Sequence, residues 1–275
     1  MKRAISGIQL PGIEPTVVIA KLPKFVWLDP STLLVDDSYQ RNLSERSIKL
    51  IRKIASAWDW RRFKPPIVVL TDKGHEVIDG QHTAIAAASH PDVPKIPVML
   101  VEAETTSERA SAFLGHNRDR LAITATQMHH AAVAAKDEDA VTIEQVCRRV
   151  GIKILKLPPS QGIFKPRDTM AVAAIGALIR EHGALRARQM LEVLSQAERA
   201  PIRADEIKAV GFLMSAPEYK SDFDPANLSI TVRSMGEEAV REAKILTVSH
   251  KLPLWRALAV TWFKKVRKNA RRVAA

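Results

Sequence analysis

The sequence is poor in cysteine. It has one cysteine, Cys147, among 275 residues, which excludes an intrachain disulfide and any metal site built from several cysteines. Cys147 falls within a predicted helix, where a small core residue is the expected role. His129 and His130 lack carboxylate or cysteine partners at ligand spacing, so the sequence predicts no zinc site there. These features favour a reducing cytoplasm.

Long apolar runs are also absent. No stretch approaches the ~20 apolar residues that a membrane-spanning helix needs, and the first residues lack the continuous apolar core of a secretory signal. We therefore expect a cytoplasmic protein with no integral membrane association.

Acidic residues are scarce towards the C-terminus. The chain has 42 Lys and Arg against 30 Asp and Glu, a net charge of +12, and no acidic residue follows Glu242. Such a positive potential attracts polyanions, of which nucleic acid is the commonest, with DNA favoured here. In the last predicted helix, Trp255, Ala259, Trp262 and Val266 share one face. The candidate DNA-binding residues on another face are Lys264, Arg267, Lys268 and Arg271.

Three roles are open for this amphipathic helix: binding to the phosphate backbone, packing of the Trp face on the protein body, and attachment to a membrane surface.

The residue pattern predicts four segments. They are a flexible arm over 1–22, an α+β domain over 23–122, a mostly α-helical domain over 123–250 and a basic amphipathic helix over 251–275. Within the α+β domain we expect a strand at 25–28, a helix at 44–58 capped by Ser44, a hairpin of strands at 67–70 and 75–78, a helix at 83–89, a strand at 96–101 and a helix at about 106–114.

The junction between the second hairpin strand and the alanine-rich helix carries the clearest functional signal. A glycine at such a junction lets the chain approach a ligand closely, and the free N–H groups of the helix start attract phosphate. Gly80, Gln81, His82 and Thr83 are therefore candidate phosphate-binding residues. The alternative is a plain Asp79-Gly80 turn in which His82 caps the helix.

Three stretches resemble the N-terminal, ParB-like nuclease domain of the ParB/sulfiredoxin superfamily. They are Trp27 to Pro30 with Tyr39 to Asn42 and the helix leading to Pro65 and Pro66; Val77 to Ala84; and Asn117 to Leu121 with Thr124. The resemblance implies a small mixed sheet with helices, followed by a helical part that contacts DNA. It also implies a phosphate contact from Asn117 and a nucleotide cofactor, CTP or ATP with Mg²⁺. Arg41 and Arg118 are further candidates for phosphate contacts, because arginine can bind phosphate oxygens through two N–H groups; ordinary surface arginines are the alternative.

The sequence departs from its relatives at the glycine turn. ParB proteins that bind CTP carry an acid and two arginines after the glycine, whereas Gln81, His82 and Thr83 stand here. Sulfiredoxin activity is not expected, because its nucleophilic cysteine is missing. Mg²⁺ prefers oxygen ligands, which Asp36, Asp37, Glu76 and Asp79 could supply, although no spacing requires it. Solvated loop carboxylates are the alternative.

The segment at 142–152 resembles the first helix and turn of a helix-turn-helix, with Thr142 and Gln145 as a capping box. Pro158, Pro159 and Gly162 then interrupt, so the recognition helix is either displaced to 167–180 or degenerate, and a small hairpin could fill the gap. The candidate DNA contacts in this region are Arg148, Arg149, Lys153 and Arg167.

Three functions follow as hypotheses. The first is a ParB-like DNA-binding protein of a bacterium, plasmid or phage, with a homodimer as an open alternative to a monomer. The second is a nuclease or phosphotransferase on the same scaffold, in which Glu76 or Asp79 activates the attacking group. The third is a protein-interaction adaptor that has lost nucleotide binding.

Overall fold

A computed structural model of the chain describes residues 4–14, 21–38, 40, 43–119, 122–219 and 224–273, with side chains up to 266. The chain divides into two compact units, Met1–Leu121 and Ala122–Ala275. Unit 1 contains β1 (Lys24–Leu28), α1 (Glu45–Ser56), β2 (Ile67–Thr71), β3 (Gly74–Asp79), α2 (Gln81–Ala88), β4 (Ile96–Val101) and α3 (Thr106–Arg118). Unit 2 contains α4 (Ala125–Ala134), α5 (Glu138–Arg149), β5 (Lys153–Ile154), β6 (Asp168–Thr169), α6 (Val172–Gln196), α7 (Ala204–Ser215), α8 (Pro225–His250) and α9 (Leu254–Val273).

The four strands of unit 1 form one small mixed sheet in the order β1-β4-β2-β3. β2 and β3 are the predicted hairpin, and β4 runs antiparallel to β1 but parallel to β2. The central strands β2 and β4 hold the apolar runs, as expected for strands paired on both sides. The prediction of a mixed α+β architecture with a small mixed sheet is confirmed.

Helices cover the two faces of this sheet. On one face, Val68, Val77 and Val98 pack with Ala84 and Ala87 of α2. On the other, Ile67, Val69 and Ile78 pack with partly buried Ala112 and Phe113 of α3. Because α2 begins two residues after β3 ends, its first turn is fixed at the edge of the sheet.

The loop before α1 is held against the outer edge of β3. The Leu34 N–H donates to His75 O and the Val77 N–H donates to Leu34 O, both at 2.8 Å. Gln40 is buried, and its side-chain amide donates to the carbonyl of Val77. The hydroxyl of Ser44 then accepts the N–H of Ser47, so the predicted cap of α1 is confirmed.

Unit 2 is built around one helical core. Gly183 (φ 75°) interrupts α6, and Gly236 (φ 51°) interrupts α8. The apolar face of α9 is packed into this core, with Trp262 1% exposed and Ala259 and Val266 also buried. Up to Val266 that face is therefore covered by the protein body, as the packing alternative expects.

Three expectations about local structure were wrong. Thr142 lies inside α5, whose cap is Asp137; the capping boxes instead pair Thr105 with Glu108 and Thr124 with Gln127. The residues from Gly115 to Arg118, expected beyond the helix, form the last turn of α3. The suggested hairpin is replaced by β5 and β6, which pair in parallel across a 13-residue connection.

A network of charged side chains, buried at Arg199 and Glu206, joins the start of α7 to the segment after α6 and to the middle of α8. Arg199 Nε lies 2.7 Å from Glu206 Oε1, and its Nη2 lies 2.7 Å from Glu237 Oε1. Arg203 Nη2 also reaches Glu237 at 2.7 Å. Because the Glu206 carboxylate accepts the Arg203 N–H as well, the network caps the start of α7 while it neutralises two carboxylates.

Candidate functional site

The turn between β3 and α2 can be formed only by glycine. Gly80 adopts φ 96° and ψ 18°, a left-handed conformation that side chains disfavour. A Cβ at this position would also lie 2.9 Å from the Cα of Pro66, closer than real Cβ contacts allow. The conformation of the turn is therefore restricted by its own backbone and by contact with the segment from Lys64 to Pro66, which precedes β2 and which we call the proline segment.

The start of α2 is uncapped. No side chain among the described residues accepts a hydrogen bond from its first turn, and the first intrahelical bond runs from the Ala84 N–H to Gly80 O. The N–H groups of Gln81, His82 and Thr83 therefore lie at the positive end of the helix dipole. The alternative in which His82 caps the helix is wrong.

This helix end opens into a cavity of about 250 Å³, which we call the turn cavity. Its walls come from the loop before α1, from α1, from the proline segment, from the β3–α2 junction and from α3. The lining residues are Gln40, Leu50, Ile54, Lys64, Ile78, Asp79, Gly80, Gln81, His82, Thr83, Phe113 and Asn117. Six residues named from the sequence, namely Asp79, Gly80, Gln81, His82, Thr83 and Asn117, therefore meet in one place.

Lys64 supplies the cation that the turn itself lacks. Its Nζ lies 3.0 Å from Asp79 Oδ2, with the lysine side chain 57% and the aspartate side chain 16% exposed. Sequence reasoning missed this residue, although a signal existed. Because the hairpin pairs Ile67 with Asp79, a lysine just before β2 lies close to the last residue of β3.

The other predicted phosphate contacts divide into three cases. Asn117 lines the cavity while its side-chain amide donates to Phe113 O at 2.8 Å. Arg118 is not part of the lining; its side chain is 80% exposed, and its Nε lies 3.8 Å from the carboxylate of Asp119. Arg41 lies outside the described residues.

The two candidate acids differ in environment. Glu76 does not line the cavity, and its carboxylate lies 3.3 Å from Arg109 Nε, with both side chains about nine-tenths buried. The Arg109 guanidinium also donates to the carbonyl of Glu104 at 2.9 Å, which ties β3 to the start of α3. This arrangement favours a structural role for Glu76 and leaves Asp79 as the carboxylate inside the cavity.

A second cavity, of about 270 Å³, adjoins the first and is called here the aromatic cavity. Trp58 and Phe63 give it an aromatic wall, and the basic side chains around it are Lys53, Arg62 and Lys64. Lys64 and Thr83 line both cavities, together with Leu50 and Ile54 of α1. A single side-chain layer therefore separates the two spaces.

In unit 2 the candidate DNA-binding residues fall into two groups. Arg148 and Arg149 are exposed at the end of α5, and Lys153 and Arg167 lie on the paired β5–β6 segment, where the Lys153 N–H donates to Arg167 O. Arg167 Nε also donates to Ser195 O at 3.2 Å. Lys264 is exposed on α9. The side chains of Arg267, Lys268 and Arg271 lie outside the described residues.

The described residues hold no group of three or more His, Cys, Asp or Glu side chains placed to bind a metal ion. Asp36 instead accepts the N–H of Ser38 within its own loop. Among the helices that the structure describes, none combines the length and the apolar character needed to cross a bilayer.

Comparisons with known proteins give little further information. No family model and no curated protein matches the chain. Among solved structures, it is similar to the C-terminally truncated chromosome-partitioning protein ParB from Caulobacter crescentus complexed with CTP-gamma-S, over 92% of this chain and 99% of that one, with a TM-score of 0.33 and 10% sequence identity. These values are too low to assign a fold family or a function.

Proposed function

We propose that unit 1 binds the phosphates of a nucleotide in the turn cavity and that the protein works in association with DNA, as a ParB-like protein. The observation that carries the first part is the uncapped start of α2, which opens into the same cavity as the Lys64 ammonium. Backbone N–H groups at a helix start and one lysine are the elements that hold phosphate in many nucleotide sites. The sequence resemblance supports the ParB-like assignment.

The charge balance inside the cavity determines how a nucleotide would bind. Asp79 repels an incoming phosphate, and its ion pair with Lys64 reduces this repulsion. When phosphate oxygens replace the aspartate as partners of Lys64, the freed carboxylate needs a new cation. Mg²⁺ carried by a triphosphate meets that need, because this ion takes one or two carboxylates together with phosphate oxygens. We therefore propose CTP or ATP with Mg²⁺ as the ligand class.

DNA binding is proposed as backbone binding by unit 2. Arg148, Arg149, Lys153 and Arg167 surround Gly151 with exposed cations, and such contacts give salt-dependent affinity without sequence reading. No helix begins between 152 and 171, and the next helix after α5 is the first part of α6, from Val172 to the break at Gly183, which overlaps the displaced position expected at 167–180. The consecutive helices α4 and α5 are a less favourable DNA-binding pair, because α5 starts with Glu138 and Asp139, which would repel DNA phosphates.

Calorimetric titration with CTP, ATP and GTP, each with and without Mg²⁺, tests the cavity. Lys64→Met should weaken the tightest nucleotide roughly tenfold or more, since a hydrogen bond to a charged group contributes about 1.5–3 kcal/mol. Lys73→Met, which removes an exposed lysine from the β2–β3 turn outside both cavities, is the matched control. Equal binding by both variants would show that the nucleotide binds elsewhere.

The competing hypotheses separate in the same assays. Binding of labelled duplex at several salt concentrations, followed by a denaturing gel, distinguishes a binder from a nuclease. Metal-dependent cleavage that Asp79→Asn abolishes would support the enzyme hypothesis. A folded protein that binds neither nucleotide nor duplex would support the adaptor.

A further inference from the structure

Four aromatic rings of unit 1 form a connected cluster that reaches the surface. Trp60 contacts the other three: its ring centroid lies 6.3 Å from that of Trp27, 5.4 Å from that of Trp58 and 5.1 Å from that of Phe63. Three of the five tryptophans of the chain thus meet at one place. Trp27 comes from β1 and the others from the segment after α1, so the fold, and not local sequence, assembles the cluster.

The inner and outer parts of this cluster have different environments. Trp58 and Phe63 pack on the buried face of the sheet, whereas Trp27 is 62% and Trp60 51% exposed. Phe25, two residues from Trp27 on the edge strand β1, is 66% exposed and shares its face of the strand. Ordinary packing accounts for the inner rings, but it does not account for three large rings left in water side by side.

The charges around the rings have one predominant sign. The segment from Glu45 to Lys64 carries seven basic and two acidic residues. Its basic residues on the exposed side of α1 are Arg46, Lys49, Arg52 and Lys53, and none of them makes an ion pair with any described residue. One of the two acidic residues, Asp59, pairs with Arg61 at 2.9 Å. The other basic residues still outnumber the remaining acid, so this surface is positive.

One polar group in the cluster also lacks a partner. The indole Nε1 of Trp58 is buried and finds no acceptor among the described residues, although Trp58 lines the aromatic cavity. Buried indole N–H groups usually find an acceptor, whereas no described residue satisfies this donor inside the cluster.

We propose that the cluster and the cationic side of α1 together form a binding surface for single-stranded DNA, separate from the turn cavity. Exposed rings provide stacking platforms for unpaired bases, and arginine and lysine side chains follow the phosphates. A duplex hides its bases from such rings, so it gains only the phosphate contacts. This surface does not rest on the proposed nucleotide site, which uses the start of α2.

Fluorescence anisotropy with a labelled 20-nucleotide poly-dT strand tests the proposal, with a 20-base-pair duplex and poly-rU of equal length in parallel. Because stacking on one ring contributes about 1–3 kcal/mol, Trp60→Ala and Trp27→Ala should each weaken poly-dT binding roughly tenfold. Trp60→Phe should retain most of the affinity. Leu185→Ala, at a 67% exposed position of unit 2, is the control for loss of an exposed apolar side chain.

The charged side is tested in the same way. Arg52→Ala with Lys53→Ala should reduce the slope of log K against log salt by about 1.4 for poly-dT, whereas Lys244→Ala on α8 should leave it unchanged. Circular dichroism shows whether each variant is folded. If Trp60→Ala unfolds, the test rests on the other two variants: Trp27→Ala should lose poly-dT affinity and Trp60→Phe should retain it.

Three results would overturn the proposal. The first is unchanged poly-dT binding by the tryptophan variants. The second is an equal loss of duplex binding by those variants, because the duplex contacts proposed for unit 2 should not depend on the exposed rings. The third is a preference of tenfold or more for poly-rU, which would assign the surface to RNA. Loss of nucleotide binding in Lys64→Met with normal poly-dT binding would concern the turn cavity alone.

Discussion

A Cβ atom on residue 80 would lie 2.9 Å from the Cα of Pro66, so Gly80 and Pro66 are in backbone contact. Gly80→Ala should therefore destabilise unit 1 by about 2 kcal/mol or more, through left-handed strain together with displacement of the proline segment. Urea unfolding measures the loss. Gly162→Ala, at φ 69° with open space around it, isolates the strain and should cost about 1 kcal/mol. Equal losses at the two positions would mean that the contact with Pro66 is unimportant.

Asp79→Asn should strengthen phosphate binding in the turn cavity, whereas it should abolish metal-dependent cleavage if the enzyme hypothesis holds. The substitution removes a negative charge from the turn cavity and frees Lys64, so binding of inorganic triphosphate without metal should become roughly fivefold tighter. Competition with a fluorescent nucleotide measures this change. Weaker metal-free binding would contradict the repulsion that we assign to the Asp79 carboxylate.

The thiol of Cys147 should be inert in the folded protein. Burial raises its pKa from the ordinary value of 9.0 to about 12, so almost no reactive thiolate is present at pH 8. A chromogenic disulfide reagent should label the native protein at pH 8 only as fast as it unfolds, and the denatured protein at once. Fast labelling of the native protein would place Cys147 at an accessible site.

The same shift predicts a pH dependence of stability. The unfolded chain ionises this thiol above pH 9.0, whereas the folded chain retains the proton to about pH 12. The folded state then binds more protons, so the free energy of unfolding falls as the pH rises through this window. Cys147→Ala should lose that part of the decline when both proteins are unfolded in urea at pH 8 and pH 10.5.

The buried charges of unit 2 should act as a unit. Arg199→Met leaves the Glu206 carboxylate, 1% exposed, without its guanidinium partner, and loss of one member of a buried ion pair costs about 3–5 kcal/mol. The double variant Arg199→Met with Glu206→Gln should recover much of this loss, since the remaining amide is neutral. Thermal unfolding of the two variants measures the difference. Additive losses would contradict the coupling.

Two capping residues test the corrected helix boundaries. Thr105→Ala and Thr124→Ala each remove an observed cap and should cost about 1 kcal/mol. Thr142→Ala removes a threonine from the interior of α5, where alanine is the better helix former, and should cost clearly less. Chemical unfolding of the three variants ranks them.

Local patterns predicted most of unit 1 correctly, because its elements are marked by nearby residues. Ser44 caps α1, the turn 71–74 joins the hairpin, and Gly80 separates β3 from α2. What the sequence did not reveal depends on residues far apart in the chain. Lys64 reaches Asp79 through hairpin pairing, and Trp27 meets Trp60 because the edge strand lies beside the segment after α1.

The errors have a physical cause as well. Thr142 and Gln145 have the spacing of a capping box, but Asp137 caps the helix five residues earlier, so the threonine lies in the interior of α5. The parallel pairing of β5 and β6 depends on a long connection, which local periodicity does not report.

Lys64 belongs to the lining of both cavities of unit 1, which makes it a shared cation. A phosphate that draws its ammonium away from Asp79 also changes the electrostatic potential felt by anything in the aromatic cavity. By thermodynamic linkage, an occupant of the aromatic cavity must change phosphate affinity by the same factor. One flexible lysine therefore gives this small unit the means to let two ligands sense each other without any movement of its backbone.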